Sequence, residues 1–205
     1  MNWYERVMKS IAAGALIGFA GYASLAAWAA TGQKIMNSLI FPVGLIMVIL
    51  FELPLFTGQM TYNCSEKFTI KRFCALAETF FGNYIGAVCV AIIFCCTFND
   101  ANILKLWEQV YVAKISTVPL RLFLKGTVCN VLISIAVLLA KRETGFAKIF
   151  CIAFPTFMFV LIGAEHSVAD AFYLLGGNLG VLFWVLLGNI FGGSIVSFFA
   201  FNTTW

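Results

Sequence analysis

From Ala171 to Trp205 the chain carries no Asp, Glu, Lys or Arg. A helix that crosses the hydrocarbon core of a bilayer needs about 20 apolar residues. A stretch of this kind therefore selects lipid rather than water as its surroundings. Comparable runs recur along the sequence: Ile11 to Gly32, Ile35 to Phe51 and on to Phe56, Phe73 to Thr97 broken by Glu78, Val118 to Ala140 with Lys125 inside it, and Ile149 to Ala164 continuing to Leu175. A transmembrane barrel would instead alternate over segments of about 10 residues. The 205 residues are 62% hydrophobic and 11% charged, against about 25% charged in soluble domains. That excludes an ordinary soluble enzyme, a disordered chain and a nucleic-acid-binding module. The expected class is an all-α polytopic membrane protein, one transmembrane domain over residues 1–205 with six spans.

Basic residues orient the spans. Arg6, Lys67, Lys71, Arg72, Lys141, Arg142 and Lys148 lie at the N-terminus and in the second and fourth loops. Lys34, Lys105, Lys114 and Arg121 lie on the other side. The bias puts both termini in the cytoplasm of a multi-pass protein of the cell membrane. The third loop is the longest, and an amphipathic helix is expected around Leu104 to Val112 on the outer face. Glu5, Arg6 and Lys9 precede a run too long for a cleavable signal, so none is expected. The cysteines form no CxxC pair and read as small apolar packing residues. One histidine makes no metal site, and no cofactor is expected.

The sequence repeats itself. Lys9-Ser-Ile-Ala-Ala-Gly-Ala-Leu-Ile-Gly-Phe-Ala20 aligns with Lys125-Gly-Thr-Val-Cys-Asn-Val-Leu-Ile-Ser-Ile-Ala136, and Gly82-Asn83-Tyr-Ile-Gly86 with Gly188-Asn189-Ile-Phe-Gly192. Three spans per half, about 1–99 and 115–205, give opposite topologies and an in-plane pseudo-two-fold axis. Gly82 with Gly86 and Gly188 with Gly192 are small-xxx-small faces for close helix packing. Asn83 and Asn189 each bury an amide that needs partners.

Two spans are expected to break. Glu52, Pro54, Thr57 and Gly58 interrupt the second, near Thr57. Gly163, Glu165, His166, Ser167 and Asp170 interrupt the fifth. Non-helical backbone at membrane depth survives where protein or a water-filled cavity satisfies it, so one break per half points to a permeation path between them. His166 is the sole histidine, and ionisable groups inside spans are functional by default. Structural roles are expected for Glu52 and Glu78, satisfying backbone at the breaks or binding the opposite half. Lys9 and Lys125 occupy equivalent positions at opposite mouths, where each would draw anions into a vestibule.

The segments Phe41-Pro-Val-Gly-Leu45, Leu55-Phe-Thr-Gly58, Lys125-Gly-Thr-Val-Cys-Asn130, Gly163-Ala-Glu-His-Ser167 and Gly188-Asn-Ile-Phe-Gly-Gly193 resemble the formate/nitrite transporter family. The resemblance implies an aquaporin-like six-helix bundle with an inverted 3+3 repeat and broken second and fifth helices. It also implies a homopentamer with one pore per protomer, conducting formate, nitrite, hydrosulfide or similar small monovalent anions, with protons as possible co-substrates. By position, Thr57 and His166 match the family's central pair. Phe41, Leu45, Ile133 and Phe159, with Leu55 and Phe56 at the second-span loop, match apolar constrictions. Lys9, Lys125, Asn130 and Glu165 complete the expected substrate pathway. Lys125 is similar to the lysine of nitrite- and hydrosulfide-type members. The short N-terminal segment, the end at Trp205, Val131, Pro54 and Glu52 depart from the family pattern. From another class, a neutral-solute channel for water, glycerol or ammonia would share the architecture without needing paired lysines. A membrane enzyme would need a nucleophile or metal constellation, which the sequence does not offer.

Overall fold

The computed structural model describes residues 1–65, 69–98 and 100–202. Of the basic residues expected on the cytoplasmic side, Lys67 lies outside the described residues, as do Asn99, the expected end of the first repeat, and Trp205. The described residues form helices only. Four of these helices are long and apolar enough to cross a membrane: α1 (Trp3–Thr31), α5 (Ile70–Thr97), α7 (Pro119–Arg142) and α10, taken over Leu179–Phe201.

Their ends follow from local chemistry. The Asn2 side chain accepts from the Glu5 N–H at 2.8 Å, and Gly32 closes α1 in the left-handed region at φ 70°. Asn is a favoured N-cap and Gly a favoured residue just past a helix end. α1 therefore starts two turns before the uncharged run at Ile11. The Thr69 hydroxyl caps α5 by accepting from the Arg72 N–H at 3.2 Å. Pro119, at the first turn of α7, gives up no hydrogen bond there.

α1 packs most extensively on α5, and α7 on α10. Glycine makes both approaches possible. A Cβ on Gly86 would overlap the Ile11 carbonyl oxygen, and one on Gly192 would overlap that of Thr127. Gly82 and Gly188 lie on the same two faces, against Ser10 and Val7 and against Phe123. Each pair is thus a groove for the neighbouring backbone. Glu78, expected to serve a break or the opposite half, instead accepts from the Arg6 guanidinium on α1 at 2.7 Å. It pins α5 to the helix it already packs against.

The remaining apolar segments are divided. α2 (Lys34–Ile40) and α3 (Pro42–Leu50) are followed by non-helical residues and then α4 (Phe56–Met60). α8 (Gly145–Leu161) is followed by α9 (Ser167–Tyr173). The first interruption falls on Phe51–Leu55 rather than at Thr57, which lies inside α4. Pro54 is the reason: it disfavours helical backbone in the residue before it, and Glu52 has already turned the chain at φ 53°. Gly163 does the same for the second interruption at φ 70°.

The expected third-loop helix is α6 (Ala101–Ile115), opened by Asp100, whose carboxylate accepts from the Asn102 and Ile103 N–H groups. It is longer than its periodicity suggests and is docked into the protein. Trp107 is 4% exposed, stacks on Phe172 of α9 at 4.5 Å between centroids, and donates its indole N–H to the Tyr173 carbonyl at 2.9 Å.

Candidate functional site: two asparagine-held junctions and a buried Thr–His pair

A helix that starts in the protein interior leaves backbone N–H groups without intrahelical partners. α4 and α9 both start there, and an asparagine serves each one. Asn83 Oδ1 accepts from the Phe56 N–H at 2.8 Å, and its Nδ2 donates to the carbonyls of Ser10 at 2.8 Å and Pro54 at 3.0 Å. Asn189 Oδ1 accepts from the Ser167 N–H at 2.9 Å, and its Nδ2 donates to the carbonyls of Gly126 at 2.9 Å and Glu165 at 3.0 Å. Both asparagines are fully buried. Each amide joins three segments: a long helix, an interrupted backbone and the short helix that follows it.

The junctions present Thr57 and His166 to each other. Thr57 Oγ1 lies 2.9 Å from His166 Nε2, with both residues buried. His166 is also the N-cap of α9: its Nδ1 accepts from the Ala169 N–H at 3.1 Å. An accepting Nδ1 carries no proton, so the network assigns the neutral tautomer with the proton on Nε2, donated to the Thr57 hydroxyl. Phe159 stacks over the imidazole with centroids 6.0 Å apart, and Phe41 meets Phe159 edge-on at 5.9 Å.

One cavity reaches His166, and a second is lined by Leu55 and Gly58 on the segment that carries Thr57. The first, about 330 Å³, is lined by Phe41, Lys125, Phe159, Glu165, His166 and Asp170, among others, and walled by α6 through Gln109, Val110 and Lys114. The second, about 540 Å³, is lined by Leu45, Glu52, Leu55, Tyr62, Lys141 and Lys148, among others. Along α7, Lys125 lines the first and Lys141 the second, so the two cavities sit at opposite ends of that helix.

The first cavity holds a charge cluster. Lys114 Nζ donates to Glu165 Oε2, and to Asp170 Oδ1 at 2.7 Å. Lys125 Nζ lies 3.3 Å from Glu165 Oε1, with its side chain 35% exposed. In the second cavity, Lys141 Nζ sits 4.0 Å from the centre of the Tyr62 ring.

Of the residues expected in the pathway, Lys9 and Asn130 line neither cavity, and of those expected at constrictions, Phe56 and Ile133 line neither. Lys9 pairs with Glu5 one turn earlier on α1, at 2.6 Å and with its side chain 46% exposed, because the capped start of α1 extends past the apolar run. The Nδ2 of Asn130 donates to the Asn189 carbonyl at 2.6 Å, tying α7 to α10. Phe56 packs edge-on against Phe80 of α5 at 5.3 Å, away from the cavities. Ile133 is 1% exposed within the core and lines neither cavity. Glu52 is exposed, and its contribution is the backbone turn. Phe41, Phe159, Leu45 and Leu55 do line the cavities. Lys114, Lys141 and Tyr62 are missing from the sequence reading of the site. A lysine in a polar loop reads as solvated, and nothing in the spacing around Lys114 marks it as buried. Among the described residues, no group of three or more His, Cys, Asp or Glu is placed to hold a metal ion.

A family model described as "Formate/nitrite transporter" matches residues 1–203. The nitrite transporter NirC of Escherichia coli (strain K12) is 29% identical over 180 residues, covering 76% of this chain and 65% of its own length. The chain therefore spans a little under two thirds of that transporter. A probable formate transporter of Methanothermobacter thermautotrophicus is 29% identical over 235 aligned residues, covering 92% and 84% of the two chains. Among solved structures, an "FNT family ion channel" superposes with a TM-score of 0.80 at 26% identity, over 94% of this chain and 85% of that one. A "Pentameric formate channel with formate bound" superposes at 0.81 and 23% identity, over 94% and 93%; at that identity it speaks for the fold. These relatives are transporters and channels rather than enzymes. With its helical architecture and the match over nearly its whole length, the chain belongs to the formate/nitrite transporter family.

Proposed function

We propose that this chain is the protomer of a membrane channel or transporter for small monovalent anions of weak acids, of the formate, nitrite or hydrosulfide class. The observation that carries the proposal is the buried Thr57–His166 pair, flanked by Phe41 and Phe159, with one cavity reaching His166 and the second, at the other end of α7, lined by the segment that carries Thr57. Charged side chains gather in the cavities, and Phe41 and Phe159 line the first of them beside His166.

The proposed architecture is six spans in two inverted halves, α2–α4 and α8–α9 forming the broken second and fifth spans. The contacts support it. Ser10 and Gly126, Ile11 and Thr127, and Val7 and Phe123 meet the α5 and α10 residues Asn83 and Asn189, Gly86 and Gly192, and Gly82 and Gly188, with one constant offset from α1 to α7 and another from α5 to α10. A homopentamer accords with the apolar outer faces, where Phe19, Ile85, Ile92 and Phe183 are exposed. We place both termini in the cytoplasm and the protein in the cell membrane, on the distribution of Lys and Arg.

A bare anion entering an apolar slit loses hydration at a large electrostatic cost. Lysines in the cavities raise its local concentration. The Nε2–H of His166 and the Thr57 hydroxyl replace part of the lost hydration. A neutral imidazole does not readily surrender its last proton, so a relay to the anion runs through the imidazolium. That form arises when Nδ1 takes up a proton and releases the Ala169 N–H. The protonated weak acid is neutral and crosses the Phe rings without the charge penalty.

Flux assays in proteoliposomes with formate, nitrite, hydrosulfide and glycerol test the proposal. Anion flux without glycerol flux is expected. Glycerol swelling without anion flux would make this a neutral-solute channel. Replacing Lys125 with Ala should lower anion uptake about ten-fold in low salt and less at 0.15 M, where the screening length falls to about 8 Å. Equal uptake by this variant in low salt would reduce Lys125 to an interfacial side chain.

A further inference from the structure

Asn37 stands on α2 between Lys34, which is exposed, and Phe41, which is 3% exposed. All three line the first cavity, as does His166. The Phe41 N–H donates to the Asn37 backbone carbonyl at 3.1 Å, so the two residues are one helical turn apart, about 5.4 Å along the axis. Phe41 meets Phe159, and Phe159 stacks on His166. Asn37 therefore lies one turn from the aromatic pair, on the side of the exposed Lys34. Its side-chain Oδ1 is buried and has no hydrogen-bond partner among the described residues. Buried polar atoms are nearly always paired, and leaving one unpaired is costly. Asn83 and Asn189 use the same atom to accept from the first N–H of a short helix. Of the uncharged residues with such an unpaired atom, Asn37 is the one that lines the first cavity.

An amide carries an acceptor and two donors side by side. The protonated form of formate or nitrite carries an O–H beside a second oxygen. The two edges are complementary: the acid O–H donates to Oδ1, and the Nδ2–H donates to the other oxygen. Hydrogen sulfide has one heavy atom and cannot span both. We propose that Asn37 is a substrate-binding residue that favours weak oxyacids with two oxygens on one centre, formate and nitrite, over hydrosulfide. The inference rests on the anion-pathway reading and narrows its substrate class. An amide that only packs α2 would affect every permeant alike, whereas a substrate ligand changes the ratio between them.

The test compares wild type, Asn37→Leu, which keeps the size and removes both polar atoms, and Asn37→Ser, which keeps one hydroxyl. Initial uptake of formate, nitrite and hydrosulfide is measured in the same proteoliposomes, so that the ratio cancels the amount of assembled protein; melting temperature is read in detergent. Asn37→Leu should lower formate and nitrite uptake about ten-fold relative to hydrosulfide, the size expected when neutral hydrogen bonds are lost. Asn37→Ser should fall between. A wild-type ratio in Asn37→Leu, or an equal loss of all three permeants, would overturn the inference. If Asn37→Leu fails to assemble, Asn37→Ser decides by the same ratio, and failure of both would make the amide structural and overturn it. If wild type excludes hydrosulfide, formate uptake per assembled protein decides: a ten-fold fall in Asn37→Leu at unchanged melting temperature supports the inference, and wild-type uptake or a fall with lowered melting temperature overturns it. A wild type that passes hydrosulfide but neither formate nor nitrite would overturn it and leave the anion reading standing. A wild type that passes none of the three would overturn both.

Discussion

The junctions before α4 and α9 are held alike and filled differently. At both, an asparagine amide accepts from the first N–H of the short helix and donates to two carbonyls. Around that common frame, the N-cap of α4 is Leu55, with no side-chain bond, while that of α9 is His166, whose Nδ1 accepts from Ala169. The acid of the first junction, Glu52, is exposed; the acid of the second, Glu165, is 4% exposed and binds two lysines. The difference separates two tasks. Satisfying an interrupted backbone inside a membrane has one solution here, used at both junctions. Chemistry is loaded onto only one of them, and the other contributes a hydroxyl, Thr57, to meet it.

This comparison can be broken at several strengths. Asn83→Ala and Asn189→Ala should be the most damaging and about equally so. Each strands one N–H and two carbonyls, and an unsatisfied buried group costs about 1–3 kcal/mol. Size-exclusion yield of assembled protein checks this, and a large inequality between the two would break the symmetry of the frame. Glu165→Gln should come next, at about 3–5 kcal/mol, because it leaves Lys114 and Lys125 without a shared carboxylate; the melting temperature reads it. Glu52→Gln should be the mildest, within about 0.5 kcal/mol of wild type, as expected for an exposed side chain with no hydrogen bond or ion pair among the described residues. A drop comparable to that of Glu165→Gln would mean that the first junction also depends on its acid.

The long helices are legible in the sequence because uncharged runs of spanning length admit few alternatives, and their boundaries move only where caps such as Asn2 extend them. The repeated Gly-Asn-x-x-Gly is legible too, and each of its residues has a packing or hydrogen-bonding task in the fold. The pairing of Thr57 with His166 comes from family resemblance, since neither periodicity nor composition relates residues so far apart. Lys9 misleads because its match to Lys125 is real in the alignment, while Glu5, one turn away, decides where its ammonium goes. Lys114 reads as a solvated loop charge. Its burial depends on α6 docking through Trp107, a tertiary event without a local signature.

The central claim is that permeating weak-acid anions meet a proton-bearing His166 beside Thr57. Formate uptake by wild type and His166→Asn, measured from pH 5 to 8 in proteoliposomes, tests it most directly, because that window spans histidine's usual titration around 6.5. Asn is itself a favoured N-cap, so the start of α9 and the assembly should survive the substitution. The account predicts suppressed uptake and a flattened pH profile in an intact variant. Wild-type uptake with a wild-type pH profile would contradict it and leave His166 a cap for α9 alone.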